Sequence, residues 1–412
     1  MLSYFQRLGE RIERAWLLHN YNEEIFPQLV LGELEREPPH EQVEVKEIVD
    51  WTFTPVQVQQ PSRGHLFGEP PVMLFQSPRF FIEALFWLSG TTEIHEHAFS
   101  GVFAVLAGSS VHSHWRFVPE RTINSRMLCG RLERVATEIL RPGSMRSIQS
   151  GGRLIHQLFH LEVPSVTIVV RTNVERNRLP QLGYLPPGLA LDPDDQDGLL
   201  TRRLVFLEGM ARGELAGLRE HSLGMVENGD LEALFRMFSL LTRRRVDRGL
   251  LDELYGRARQ RHGGIVDLLQ QACEGERRIR IVRSLRSRVS DPEARFLLAL
   301  LMLMPDRDAV FETIRCQFPG AEPLELIEKW LGSIWQRETI GFELSDLNRR
   351  LFRSLVEGLD AESLIRRLQA EHAGDPVAAD RDRLLVHAES FARSALFYPL
   401  FSHSPLRKER DA

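Results

Sequence analysis

The chain has 412 residues, more than one typical domain, and 43% of them are hydrophobic, enough to fill ordinary globular cores. With 52 Lys and Arg set against 57 Asp and Glu, the net charge is −5, so no global electrostatic pull toward nucleic acid or an acidic membrane is expected. Cys129, Cys273 and Cys316 are widely separated and form no CxxC pair, which argues against a disulfide framework or thiolate zinc site and for a reducing, cytoplasmic setting.

Residues 1 to about 35 read as an amphipathic helix, with Leu2, Phe5, Leu8, Ile12 and Trp16 at helical spacing. The first residues mix charge into their apolar positions and lack a signal-peptide core. Pro38, Pro39, Pro55, Pro61, Pro70 and Pro71 then punctuate an extended lead-in, making residues 1–71 the first segment. From 72 to 178, β-branched and aromatic runs at 79–88, 102–106, 111–118 and 166–170 alternate with Gly, Ser and Pro turns. That is the composition of an antiparallel jelly-roll barrel.

Residues 179–198 carry Pro180, Pro186, Pro187 and Pro193 beside Asp192, Asp194, Asp195 and Asp197, and read as a linker. From 199 to 412 the character is helical. Spans are expected at 199–220, 230–244, 252–261, 291–304, 306–316, 324–336, 345–359 and 381–397, with acidic caps at Asp291 and Asp306 and a frayed tail from Arg407. The most apolar stretch, 296–304, is too short to span a bilayer. The basic run 277–288 has no interleaved aromatic residues and reads as a solvated or salt-bridged helix face. The fold class is therefore α+β, a barrel followed by an all-α domain.

The chemistry concentrates in two places. In Gly90-Thr-Thr-Glu93-Ile-His95-Glu-His97 the alternation of a strand puts Glu93, His95 and His97 on one face. A third histidine from a strand packed opposite completes a metal site, and Ile155-His156-Gln-Leu-Phe-His160 offers two. Glu93 is an alternative third ligand, in a two-histidine, one-carboxylate set, or a residue lining the mouth. His160 is open to ligation, to orienting a ligand, or to plain hydrogen bonding within the barrel. His112 and His114 form a second HxH, open to facing inward as pocket residues, with a solvent-facing pair the preferred reading. Guanidinium groups bind carboxylates bidentately, which makes Arg79 and Arg171, with Arg116 and Arg146 behind them, candidate anchors for a substrate. Phe81, Leu85, Trp87, Phe103 and Leu158 are expected to form an apolar wall. Walker A, GxSxG and dinucleotide-binding motifs are missing from the sequence.

The run from Gly90 through His95 and His97 to Gly101 and Gly108 resembles the first motif of the cupin superfamily. Pro142-Gly143 through Gly151, Gly152, His156 and His160 resembles the second, the similarity covering about residues 73–172. The resemblance implies a β-barrel with His95, His97 and His156 as metal ligands. Gly101 stands where many cupins place a glutamate. A three-histidine set without a carboxylate is similar to the cysteine dioxygenase group of iron-dependent thiol dioxygenases, as are Phe86-Trp87 and the strand after Pro164. Arg171 replaces that group's tyrosine, and Thr167 and Val169 replace its serine and histidine.

What this implies is an iron-dependent oxygenase, with Fe(II) held by His95, His97 and His156 (Zn, Mn and Ni being the alternatives) and Arg171, Arg79 and His160 serving the substrate. Three neutral ligands leave the metal its full positive charge, so a small anionic thiol or carboxylate is expected to bind beside O₂. Neither nucleic acid nor membrane is expected as a partner. The helical domain is open to covering the pocket, to homo-oligomer formation or to binding a protein partner. A non-oxidative metal enzyme (isomerase or lyase) and a non-catalytic ligand-binding cupin are the competing readings.

Overall fold

A computed structural model describes residues 1–54, 67–173, 180–193, 197–335, 340–372 and 374–408. Chain contacts divide it into two compact units, Met1–Glu276 and Arg277–Ala412, the division falling within a helix, Ile265–Arg286.

The first unit is built on two antiparallel sheets. One has the order β1 (Pro71–Gln76), β2 (Phe80–Trp87), β9 (Ser165–Thr172), β4 (Gly101–Ala107) and β7 (Met145–Ile148). The other closes as a barrel through β10 (Gly183–Leu185), β11 (Leu189–Leu191), β6 (Met127–Leu140), β5 (Ser110–Asn124), β8 (Gly151–His160) and β3 (Ile94–His97). With the helices around it this is an α+β fold, as the sequence implied.

Period-two alternation decides what each strand buries. Phe80, Ile82, Ala84 and Phe86 of β2, Val102 and Leu106 of β4, and Val166, Ile168 and Val170 of β9 join one core. That core also takes Phe5, Leu8, Ile12 and Trp16 of α1 (Leu2–Leu17) and Phe26, Val30 and Leu34 of α2 (Phe26–Arg36). The opposite faces of the same strands supply Leu85, Trp87, Phe103, Val105 and Val169 to a second core, with Leu140, Leu154 and Leu158.

Three expectations about boundaries need correcting. The single helix over residues 1–35 is broken: α1 ends at Leu17, and Asn20 and Tyr21 adopt left-handed backbone before α2 begins. The lead-in is not extended throughout, because α3 (Pro39–Gln42) and α4 (Val45–Thr52) occupy it; Pro55 and Pro61 lie outside the described residues. The span read as a linker, 179–198, contains β10 and β11, which complete the barrel by pairing Gly183 with His95 and Leu189 with Cys129; Asp194 and Asp195 lie outside the described residues.

Helices α5 (Gly198–Ala211), α6 (Leu218–Asn228), α7 (Leu231–Arg244) and α8 (Arg248–His262) begin the helical region, and one helix expected at 199–220 is thus two. They share a core with Met127, Cys129 and Leu189 of the barrel, so the barrel and these helices form one compact body. The expected boundary at 199 is therefore not where the chain divides.

In the second unit Pro292–Leu303 is buried from Ala294 to its end. The expected caps form: the Asp291 and Asp306 carboxylates accept from the N–H groups of Glu293 and Ala309 at 3.1 and 2.9 Å. In the basic run, Arg286 is buried and the Arg278 guanidinium lies 5.1 Å from the Tyr398 ring centre. Among the described residues no helix is long and apolar enough to cross a membrane. The last residues of the tail expected to fray, 409–412, lie outside the described residues.

Candidate metal centre

The strand β3 is only four residues long, yet it places two imidazoles inward and is held on both edges. His95 pairs with His156 of β8 across one edge and with Gly183 of β10 across the other. Ile94 and Glu96 take the opposite face, as alternation requires. There the Tyr184 hydroxyl donates to Glu96 Oε2 at 2.7 Å, and burial raises the Glu96 carboxyl above its ordinary value. Upstream, Thr91 and Thr92 stitch the chain to β8. Thr91 Oγ1 donates to the Leu158 carbonyl, Thr92 Oγ1 accepts from the Leu158 N–H at 2.7 Å, and Gln157 donates to the Thr92 carbonyl at 3.0 Å. These two threonines fix His95 opposite His156, and nothing in the sequence singled them out.

The approach to β3 is anchored by one carboxylate. Glu69 accepts from the backbone N–H groups of Leu88, Ser89 and Gly90 at 3.1, 2.7 and 3.0 Å and from the Ser89 hydroxyl at 3.0 Å. Burial opposes its ionisation, but these hydrogen bonds together outweigh it and hold the carboxyl below its usual value. Glycine at position 90 leaves room for this carboxylate, since a Cβ there would lie 2.8 Å from Glu69 Oε1.

His95, His97 and His156 are all buried and bring ligand atoms within 4.8 Å of one another. The Nε2 atoms of His97 and His156 are 2.8 Å apart. Two imidazoles bound at right angles to one ion at about 2.1 Å have nitrogens about 3 Å apart, so the spacing suits a shared metal. His95 Nδ1 lies 2.8 Å from the Glu93 carbonyl oxygen, which can only accept, so Nδ1 carries the proton and Nε2 is left as a lone pair. His97 Nδ1 is buried without a hydrogen-bond partner among the described residues. Burial lowers the affinity of all three rings for a proton. For His97 the charges of His95 and Arg171 add to this, and for His156 those of the surrounding histidines. Three buried neutral imidazoles converging on one point fit a divalent transition metal.

Other expected residues fall differently. Glu93 is exposed and its carboxylate is outside this cluster; its carbonyl oxygen accepts from His95 Nδ1. Gly101, which stands where many cupins place a glutamate, admits no side chain, because a Cβ would lie 2.1 Å from the Val170 carbonyl oxygen. His160 is outside the cluster too. Its Nδ1 is 2.8 Å from Ser110 Oγ and 3.1 Å from Ser165 Oγ, and its ring stacks on Trp87 at 4.7 Å.

Arg171, near the end of β9 in the five-stranded sheet, donates from Nε to Glu83 Oε1 at 2.9 Å, and its guanidinium lies 4.4 and 4.3 Å from the ring centres of Phe81 and Phe99. Phe99 in turn stands 4.6 Å from the His97 ring. Arg79 is a correction: it is exposed, with its guanidinium 4.0 Å over the Tyr21 ring, and is not gathered with the histidines. Arg116 is likewise at the surface with Glu133. The expected apolar wall is present in Leu85, Trp87, Phe103 and Leu158.

The expectation that His112 faces solvent is also overturned. His112 is fully buried, its Nε2 2.9 Å from His156 Nδ1 and its Nδ1 3.1 Å from Glu138 Oε1. Alternation along β5 was legible, but which face turns inward depends on β8 pairing with it, His114 standing opposite His156. His114 is half-buried beside Glu138.

No protein-family model matches the chain, and no curated protein matches it in sequence. Among solved structures the chain is similar to hydroquinone 1,2-dioxygenase from Sphingomonas sp. TTNP3 with 4-hydroxybenzoate bound, at 12% identity and a TM-score of 0.21, over 26% of this chain and 66% of that one. It is similar to an oxalate oxidase in complex with the substrate analogue glycolate, at 14% identity and a TM-score of 0.21, over 54% of this chain and 87% of that one. It is also similar to Peruvianin-I, a cysteine peptidase from Thevetia peruviana latex, at 16% identity and a TM-score of 0.20, over 32% and 76% of the two chains. Likenesses at this level assign neither reaction nor substrate.

Proposed function

We propose that this chain is a cupin-type mononuclear metal enzyme, an iron-dependent oxygenase that acts on a small anionic metabolite bearing a thiol or carboxylate. The observation that carries the reading is the convergence of His95, His97 and His156, all buried, with two Nε2 atoms 2.8 Å apart. A divalent metal held by His95, His97 and His156 would supply the Lewis acidity and redox chemistry for reaction of a small anion with O₂. Iron is preferred to zinc, manganese or nickel because of the resemblance to the three-histidine thiol dioxygenases.

The chain's own residues would do the rest. Trp87, Phe103 and Leu158 would keep the surroundings of the site apolar, which strengthens charge interactions there. Arg171 is the anchor for a substrate carboxylate, accepting it in place of or beside Glu83. His160, held by Ser110 and Ser165, keeps the Trp87 ring in place as part of the wall.

The test is O₂ uptake by anaerobically prepared, Fe(II)-loaded protein offered small thiols and carboxylates. Uptake stoichiometric with one substrate, lost in His97→Ala, is the expected result. Full iron occupancy with no uptake for any candidate, together with turnover of a substrate under nitrogen by zinc- or manganese-loaded protein, would replace the oxygenase by an isomerase or lyase.

A further inference from the structure

Beyond the three histidines, a chain of polar groups runs from His156 through β5 to β6 and β7. His156 Nδ1 faces His112 Nε2 at 2.9 Å, and His112 Nδ1 faces Glu138 Oε1 at 3.1 Å. Arg146 grips the carboxylate from the far side, Nε donating to Oε1 at 2.8 Å and Nη2 to Oε2. Arg146 Nη1 is itself fixed by the Met145 carbonyl at 2.6 Å.

These contacts have only one consistent polarity. A carboxylate held by a guanidinium accepts and does not donate, so the proton between His112 and Glu138 sits on His112 Nδ1. The His112 ring has no exposed surface, and a second proton would make it a cation shut away from water, so with Nδ1 carrying the proton toward Glu138 its Nε2 is bare. The proton between the two rings therefore belongs to His156 Nδ1. His156 Nε2 is left as a lone pair aimed at the point where His97 Nε2 also converges.

We propose that His112, Glu138 and Arg146 are positioning residues that fix His156 in its metal-binding tautomer and orientation, so that the Glu138–Arg146 salt bridge sets metal affinity at the three histidines. The inference rests on the metal reading of His95, His97 and His156. It adds a control that this reading alone does not contain.

His112, His114 and Glu138 also offer ligand atoms close enough to hold an ion of their own. His114 Nε2 lies 3.2 Å from His112 Nδ1 and 3.6 Å from Glu138 Oε1. A cation there would sit against the Arg146 guanidinium and would take the lone pair or displace the proton on which the relay depends. Glu138 is already neutralised, so the relay is the better account.

The experiment is a Zn²⁺ titration of the full chain against a chromophoric chelator, paired with ¹⁵N-histidine NMR of the zinc-loaded protein. The parent should bind one ion per chain that His97→Ala abolishes, and His156 should show a protonated, hydrogen-bonded Nδ1. His112→Phe and Glu138→Gln should weaken that ion roughly 10- to 100-fold. His112→Gln, whose amide can both accept from His156 and donate to Glu138, should recover most of the loss, and His114→Ala should leave affinity unchanged. Melting curves of the metal-free variants separate misfolding from mispositioning.

A parent with no ion sensitive to His97→Ala sinks the metal reading and the relay together. A parent that binds it, with His112→Phe and Glu138→Gln folded and equally tight, overturns the relay alone. A second ion per chain, lost in His114→Ala, also overturns it, since His112 Nδ1 would then be a ligand.

Discussion

His97 and His156, 59 residues apart in sequence, bring their Nε2 atoms to 2.8 Å at a buried site. Two buried imidazoles at that distance either share a proton or share a ligand. The proton on His97 Nε2 is then the only one that metal binding has to displace, because His95 and His156 already present bare Nε2 atoms through the Glu93 carbonyl and the His112 relay. The site is organised before the ion arrives.

Gly101 explains the absence of a carboxylate ligand in physical terms, and it supports a prediction. Gly101→Glu should not create a three-histidine, one-glutamate centre. With a Cβ forced to 2.1 Å from the Val170 oxygen, β4 must separate from β9. The expected outcome is a loss of about 3 kcal/mol of stability by urea unfolding, or insoluble protein. A stable variant with tighter metal binding would show that the strand pairing yields more easily than this.

Arg171 and Glu83 form a largely buried ion pair, 16% and 8% exposed at their side chains. Removing one partner strands the other, so Arg171→Met should cost about 3 kcal/mol. Restoring neutrality with Glu83→Gln in the same chain should return a good part of it. If Arg171 also anchors a substrate carboxylate, the double variant will be stable yet have a raised KM with kcat less affected. Equal KM in parent and double variant would remove Arg171 from substrate binding.

The Glu69 cap gives a pH dependence of known sign. Its carboxyl is held below its ordinary value of 4.5, so the stabilisation is fully present above that value and is lost as pH falls through the lower folded value. Glu69→Gln should lower stability at pH 7 by about 1–2 kcal/mol and flatten the acid limb of the stability profile. Gly90→Ala, by crowding the same carboxylate, should reproduce part of the loss. An unchanged acid limb in Glu69→Gln would place the acid sensitivity elsewhere.

How much of this was legible in the sequence follows from which interactions are local. Alternation along one strand located β2, β4 and β9 within about two residues at each end and the start of β5, which runs on past the expected 118 to Asn124, and the HxH spacing put His95 and His97 on one face. Caps such as Asp291 and Asp306 were legible because they act within one helical turn. Pairing between distant segments was not. The strands β10 and β11 are three residues each in a Pro- and Gly-rich stretch, and only their partners Ile94, His95, Leu128 and Cys129 make them strands. His112 was placed on the wrong side because a period of two fixes which residues share a face, while the neighbouring strands fix which face is inside. Arg79 was plausible by sequence proximity to β2, but its guanidinium finds Tyr21, from a turn no periodicity predicted.

The central claim is that His95, His97 and His156 hold one metal ion. It is tested most directly by measuring metal per chain in anaerobically purified parent and His97→Ala proteins, with circular dichroism confirming that both are folded. The account predicts about one ion per chain in the parent, iron foremost, and almost none in the variant. No ion in either after reconstitution with iron, zinc and manganese, or equal occupancy in both, would contradict it.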